Sequence, residues 1–353
     1  MENDSDMTID EVAELAYVSR SVVSRVLNDH PNVSDEARER VLKVIEEHDY
    51  RPNSVARSLA TDRSFEISIL TPRRSDGAAD TGHWPLHESL ANGYWPLLYS
   101  GIFDQCLERG YFASMSIVSA EVEDKISSQA SDQRFDGYVL VTQEVVDLAG
   151  PALRERGVPT ILIGESPDRE AFHSIDIDNE RGGYEVGAHF CGLGYRDIGL
   201  ILGDPDLKEN QDRRHGFERA FREGGGTISS ARVGHGDYSR ESGYDLVHRW
   251  ASDGSLPRAL FCASDTMAMG ALLALHETNH RVPDDVAVVG FDGLPSTRYT
   301  IPPLTTVRQP VYEKGKAAVD LLVDEIEGSD DTPSHRLLEP ELVVRQSCGA
   351  SGR

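Results

Sequence analysis

The sequence predicts two architectures in one chain: a small all-α head, then a larger α/β domain of parallel sheets with helices on both faces, folded as two lobes. Three observations carry this. Residues 8–50 show helix-start signals and helical apolar spacing, with no strand-like alternation. From Phe65 onward, short apolar runs alternate with amphipathic stretches, the pattern of a parallel sheet covered by helices. About 290 residues follow that point, too many for one such sheet, so two lobes are expected.

In the head, Thr8 followed by Glu11 forms a capping box that starts a helix near Ile9. Val12, Leu15 and Ala16 make its inner stripe. A tight turn follows at Tyr17, where glycine would tolerate a positive φ and tyrosine costs about 1 kcal/mol. The ring is expected to lie on the outside of the head. Ser19 can cap a second helix that buries Val22, Val23, Val26 and Leu27. Ser34, with Asp35 and Glu36 behind it, is a third N-cap with acids suited to the helix dipole. Val41, Val44 and Ile45 then face inward.

Two readings of this block stand side by side. One is a small helical bundle with solvated polar faces. The other is a helix-turn-helix whose second helix enters the DNA major groove. The formal net charge of −25 argues against non-specific coating of nucleic acid. Local placement matters more, because a charge is felt within a Debye length of roughly 10 Å. Leu15 to Asn28 holds Arg20 and Arg25 and no acid, and Tyr50 to Thr61 holds Arg51 and Arg57 and no acid. Two such windows are what a one-faced phosphate binder requires.

In the larger domain, EISIL (66–70), FASMSIV (112–118), GYVLV (137–141), PTILI (159–163), IGLIL (198–202), RALFCA (258–263) and VAVVGF (286–291) read as buried strands. Helical stretches lie between most of them. Ligands of open parallel sheets bind at the carboxyl ends of the strands, so a cleft between the lobes is the natural site.

Several classes are set aside. No apolar run of transmembrane length occurs, and MENDSDMTID lacks a signal-like apolar region, so a cytoplasmic location is expected. Cys106, Cys191, Cys262 and Cys348 lie far apart and suggest neither a zinc cluster nor a disulfide framework. HETNH (His276–His280) matches a zinc-protease pattern, but it closes a helix directly before RVPDD with no third ligand nearby. Gly192-Leu193-Gly194 leaves a helix toward a strand, the reverse of a dinucleotide fingerprint. No cofactor, no metal and no catalytic set is expected.

The string TIDEVAELAYVSRSVVSRVLNDHPNVSDEARERVLKVIEEHDYRPNSVARSLAT closely resembles the DNA-binding head and hinge of the lactose-repressor (LacI/GalR) family. The likeness continues through NGYWPLLYSGI, FDGYVLV, SIDIDNERGGYEVGAHFCGLGYRDIGLILG, DRRHGFERAF, ASDTMAMGALLAL, VPDDVAVVGFDG and IPPLTTVRQP, covering residues 8–347 in order. It implies a helix-turn-helix head over 8–52, a hinge helix over 53–62, and a periplasmic-binding-protein-like effector and dimerisation domain over 65–347. The chain would cross between lobes near 162, 291 and 335.

By position, the resemblance makes Ser19, Arg20 and Ser21 the opening of the recognition helix. Arg20 is the leading base reader, since arginine pairs bidentately with a guanine edge. Thr8, Ser24, Arg25, Asn28, Asn32 and Ser34 fall where phosphate and further base contacts are expected. Asn53, Ala56 and Leu59 fall in the hinge, with Leu59 matching a minor-groove wedge.

In the effector half the resemblance points to Tyr94 and Trp95 in an aromatic stretch, Arg213 in DRRHG, Tyr238 as a stacking wall, Asp292 in GFDG and Asp265 after Ser264. This set makes a carbohydrate the default effector. Residues 71–93 are longer than the family's usual link, which leaves the roles of His83, Trp84 and His87 open. Gly164 stands where some relatives place an acidic ligand. No heptad tail follows VVRQSCGASGR, so a dimer is expected rather than a tetramer. The reading is a non-enzymatic transcriptional regulator, a repressor by family habit, binding a pseudo-palindromic operator as a homodimer with no membrane association. Its rivals are a sugar-binding protein without DNA binding and an HExxH metallohydrolase.

Overall fold

A computed structural model describes residues 7–27, 32–48, 50, 63–72, 93–118, 134–164, 172–328 and 333–350. The chain divides into two compact units between Phe65 and Glu66.

The first unit holds α1 (Ile9–Leu15), α2 (Arg20–Leu27) and α3 (Asp35–Glu47). Both halves of the predicted capping box form: Thr8 N donates to Glu11 Oε2 at 2.6 Å, and Glu11 N donates to Thr8 Oγ1 at 3.3 Å. Ser34 Oγ accepts from Ala37 N and starts α3. The shared core is Val12, Ala13, Ala16, Val23, Val26, Val41, Val44 and Tyr50. Leu15 is not part of it and stands 47% exposed. Ala13 takes the inner position instead, so the buried stripe runs through 12, 13 and 16.

The turn after α1 explains Tyr17. Val18 N donates to Ala13 O and Tyr17 N donates to Glu14 O. This pair of bonds is a Schellman closure, which requires a left-handed residue at its C′ position. Tyr17 supplies it with φ of 52°. Its side chain is 85% exposed, so the ring lies on the outside as the sequence suggests.

The second unit contains two six-stranded sheets. Sheet A comprises β1 (Glu66–Pro72), β2 (Phe112–Val118), β3 (Gly137–Leu140), β4 (Thr160–Ile163), β5 (His173–Ile177) and β11 (His335–Leu338), in the order β11-β5-β4-β3-β1-β2. Sheet B comprises β6 (Ile198–Leu202), β7 (Val233–His235), β8 (Ala259–Cys262), β9 (Ala287–Asp292), β10 (Thr305–Arg308) and β12 (Glu341–Val343), in the order β12-β10-β9-β8-β6-β7. All pairings are parallel except β10 with β12, an antiparallel edge. The seven apolar runs read from the sequence are all strands.

The connecting helices are α4 (Tyr94–Glu108), α5 (Gln143–Glu155), α6 (Asn179–Gly192), α7 (Lys208–Glu223), α8 (Arg240–Ser252), α9 (Asp265–Glu277) and α10 (Val311–Ile326). α10 returns to pack on α4 and on the β3, β4 and β5 strands of sheet A. The chain therefore passes between the sheets after Ile177, after Arg308 and after Leu338. The family resemblance implies passages near 162, 291 and 335. The first two come one strand later because β5 and β10 each add a strand to the lobe being left.

Two close helix crossings fix the walls between the lobes. A Cβ added at Gly183 would lie 2.0 Å from Arg213 O, and one at Gly216 would lie 1.9 Å from Glu180 O. α6 and α7 thus touch backbone to backbone, which side chains at these positions would prevent. Likewise a Cβ at Gly101 would lie 2.1 Å from Tyr312 O, and one at Gly315 would lie 2.4 Å from Leu98 O, locking α4 onto α10.

Candidate functional site

On the head, Thr8, Ser19, Arg20, Ser21, Arg25, Asn32 and Ser34 are exposed and Ser24 is half-buried. The first turn of α2 carries no acid. Ser19 and Ser21 share a hydroxyl–hydroxyl bond at 2.8 Å. Arg25 Nε donates to Ser21 O at 3.2 Å, which holds its stem along the helix. Arg20 lies 3.9 Å from Asp10 with both side chains open to solvent. Such a pair is weak and leaves the guanidinium available to a nucleic-acid edge. Asn28, Asn53, Ala56 and Leu59 lie outside the described residues, as do His83, Trp84 and His87.

The second candidate site lies at the carboxyl ends of the strands, where the two sheets exchange chain. On the sheet A side, Lys314 of α10 is buried. Its Nζ donates to Tyr94 Oη at 2.8 Å and to Asp176 Oδ1 at 3.1 Å. Burial opposes charge on Lys314, but the Tyr94 hydroxyl and the Asp176 carboxylate outweigh it and hold the ammonium above its ordinary range. Trp95 meets Tyr94 edge-on at 5.3 Å and stacks on Tyr99 at 6.0 Å.

The polar chain continues across the first passage. Asn179 Nδ2 donates to Asp176 Oδ2 at 3.1 Å, and Arg213 Nε donates to Asn179 Oδ1 at 2.8 Å. Arg213 Nη1 donates to Ala263 O at 2.7 Å. Its guanidinium lies 4.0 Å from the centre of the Phe291 ring, the end of an aromatic row running through Phe217 and Phe261. A buried arginine on an aromatic face is well placed for planar recognition.

Asp292 ends β9 with φ of 127°, a strained backbone costing on the order of 1–3 kcal/mol. Gln309 holds it twice: its backbone N–H donates to Asp292 O at 3.0 Å, and its Nε2 donates to Asp292 Oδ1 at 2.7 Å. Asp265 N donates to Asp292 Oδ2 at 3.3 Å. Burial pushes the Asp292 carboxyl up to about 6, against the pull of Arg213. Asp265 is likewise raised well above its ordinary range, by its complete burial and by the Asp292 charge.

The predicted residues therefore differ in what they can do. Arg213 and Asp292 lie in one electrostatic cluster with Lys314, and Tyr94 joins it through Lys314. Asp265 is fully enclosed. Its carboxylate accepts from Leu294 N at 2.7 Å and from Thr306 Oγ1 at 2.6 Å, so it shapes the turn that carries Asp292. Tyr238, φ 70°, lays its ring against Gly203 beyond β6. Sequence reasoning missed Asp176, Asn179, Glu209, Gln309 and Lys314. Lys314 had a legible signal: it stands on the apolar stripe of α10 with Val311, Gly315, Ala318 and Leu322.

HETNH closes α9. Asn279 takes φ of 59° and His280 N donates to Leu275 O, a second Schellman closure. Glu277 accepts from Tyr244 Oη at 2.6 Å, and His280 Nδ1 lies 3.0 Å from Thr278 Oγ1.

A helical head joined to two parallel-sheet lobes with a polar seam defines a DNA-binding regulator with a ligand-binding domain of periplasmic-binding-protein type. Comparison with known proteins agrees. Residues 8–53 match the bacterial regulatory proteins of the lacI family, and residues 188–348 match a periplasmic binding protein-like domain. The chain is 31% identical over 344 residues to the HTH-type transcriptional repressor PurR of Escherichia coli O139:H28 (strain E24377A / ETEC), across 96% of each protein. The PurR of Photobacterium profundum is 28% identical over 349 residues, covering 96% of this chain and 98% of that protein. Among solved structures, the lac repressor dimer bound to operator and the anti-inducer ONPF superposes with a TM-score of 0.77 at 27% identity, covering 97% of this chain and 99% of that one. The complex of the transcriptional regulator CelR with cellobiose gives 0.71 at 29% identity, with the same coverage. The chain belongs to the lacI family of bacterial regulatory proteins.

Proposed function

We propose that this protein is a transcriptional repressor that binds a pseudo-palindromic operator as a homodimer and is controlled by a polyhydroxylated small molecule held between its lobes. The observation that carries the second half is the hydrogen-bonded seam Tyr94–Lys314–Asp176–Asn179–Arg213, which runs from one lobe into the other. A ligand bound against it touches both lobes at once and so favours one lobe arrangement over another. Ligand and operator affinities are then linked by a single coupling free energy, felt equally in both directions.

The first half rests on the exposed serine and arginine face of α2 and on family membership. Two-fold symmetry in the protein calls for matching symmetry in the site. The carbohydrate reading of the ligand draws on the aromatic wall at Tyr94 and Trp95, with Arg213 and Asp292 opposite. Among the described residues no helix is long and apolar enough to cross a membrane, which is compatible with work at cytoplasmic DNA.

Operator selection from a random palindromic pool, followed by gel shift, tests the assignment. Arg20→Ala should weaken binding to the selected site by roughly 10- to 100-fold, the worth of one bidentate base contact. Unchanged affinity would remove Arg20 from base reading. No selected sequence at all, even at low salt, would revive the sugar-binding reading without DNA.

A further inference from the structure

Among the described residues, the cleft cations Lys314 and Arg213 are held by the protein itself. Lys314 gives its ammonium to Asp176 and Tyr94. Arg213 turns two of its N–H groups to Asn179 and to the Ala263 carbonyl, and Phe291 covers one face.

The acceptors are in the opposite condition. Gln309 is 4% exposed, and its Oε1 is enclosed with no donor among the described residues. Turning the amide over would not help. It would place Oε1 at 2.7 Å from Asp292 Oδ1 in place of the present donor, oxygen against carboxylate. A second acceptor is Glu209, half-buried in the first turn of α7. It lies within the electrostatic reach of Arg213, Asp176 and Lys314, and its hydrogen-bond donor is its own backbone amide. Burial pushes this carboxyl up from its ordinary range.

Charge points the same way. Among the described residues, Asp176, Glu209 and Asp292 share the cleft with the cations Lys314 and Arg213, while Asp265 is enclosed and held towards its neutral form by burial and by the Asp292 charge. A phosphorylated or carboxylated ligand would add to the excess. A ligand ammonium would cancel part of it and donate to these acceptors.

We infer that the effector is a hydroxylated amine, an amino sugar or aminated polyol with a free ammonium, for which Glu209 is the counter-ion and Gln309 Oε1 a further acceptor. This rests on the reading of the cleft as the effector site. Hydroxyl groups of the same ligand supply donors to Asp292. The ammonium makes a charge-assisted bond, which is stronger than the neutral bond a hydroxyl makes in its place.

Calorimetry on the full chain with matched probes tests the inference: glucosamine against glucose, galactosamine against galactose, mannosamine against mannose, and each N-acetyl derivative. At least one free amine should bind about tenfold or more tightly than its hydroxyl twin. N-acetylation, which removes the charge, should abolish that advantage. Glu209→Gln should bring the amine-to-hydroxyl ratio close to one. The ligand-side comparison stands even if that variant folds poorly. The inference is overturned if a neutral sugar binds as tightly as its amine, if no amine in the panel binds, or if Glu209→Gln keeps the full preference. An operator-binding protein that prefers neutral ligands would sink this inference alone. Failure to bind any selected operator would sink the reading beneath it.

Discussion

The two walls of the cleft solve the same problem in opposite ways. The sheet A wall buries a lysine and an aspartate against each other and satisfies them with a tyrosine hydroxyl. The sheet B wall buries two carboxylates side by side, at Asp265 and Asp292, and holds the second on a strained backbone. One wall pairs its buried charges with each other, cation against anion. The other holds its two carboxylates in a tense arrangement.

The sharpest way to break the contrast is Lys314→Met. It strands Asp176 without a counter-ion, and loss of one partner from a buried pair costs about 3–5 kcal/mol. Urea unfolding should show the loss, and adding Asp176→Asn should restore much of it. A Lys314→Met protein as stable as the parent would mean that the sheet A wall is not self-contained.

Gly216→Ala attacks the placement of the other wall. The added methyl would meet the Glu180 carbonyl at the α6–α7 crossing, and overpacking of this kind costs about 1–3 kcal/mol. The helices must separate, so ligand affinity should fall together with the melting temperature. Stability lost with ligand affinity intact would dissociate Arg213 from the crossing.

The strained carboxylate predicts a pH signature. Asp292 holds its proton up to about 6, above the range of the same group in an unfolded chain. Its contribution to stability is therefore fully present in acid and is lost as pH rises through about 6. Unfolding measured from pH 4 to 8 should show a smaller decline in Asp292→Asn than in the parent. Parallel curves would show that the pair is not desolvated as described.

The smallest effect is a control for strain away from the cleft. Tyr17 also has a positive φ, but its ring touches little. Tyr17→Gly should stabilise the head by about 1 kcal/mol or less, read as a higher melting temperature. A loss would show that the ring packs on the head after all.

The elements legible in the sequence share one property: their signal is local. Capping at Thr8 and Ser34 depends on a few neighbouring positions, and a fully buried strand such as IGLIL is apolar throughout. HSIDI (173–177) carries no strand signal because it buries His173, Ser174 and Asp176 alongside its isoleucines, so neither an apolar run nor an in–out alternation appears. Leu15 was misplaced because positions i+3 and i+4 compete for the same inner face, and packing against α2 and α3 decides between them. The site divides along the same line. Arg213 and Asp292 were found through motif likeness, whereas Glu209 resembles any acid in a first helical turn and Gln309 any polar residue after a strand. Their partners come from distant segments and exist only once the sheets have formed. Lys314 is the exception, since a lysine within an apolar helical stripe already implies a buried counter-charge.

The three passages between sheets carry one more implication. β11 and β12 are separated by two residues, yet the first borders one lobe and the second borders the other. Neither lobe is thus an unbroken stretch of gene. Recombination cannot exchange a single lobe by one cut at each end, and a fragment ending before His335 would lack a border strand on both sides. A cut-and-join exchange at two points therefore moves the two lobes as a pair and not one at a time.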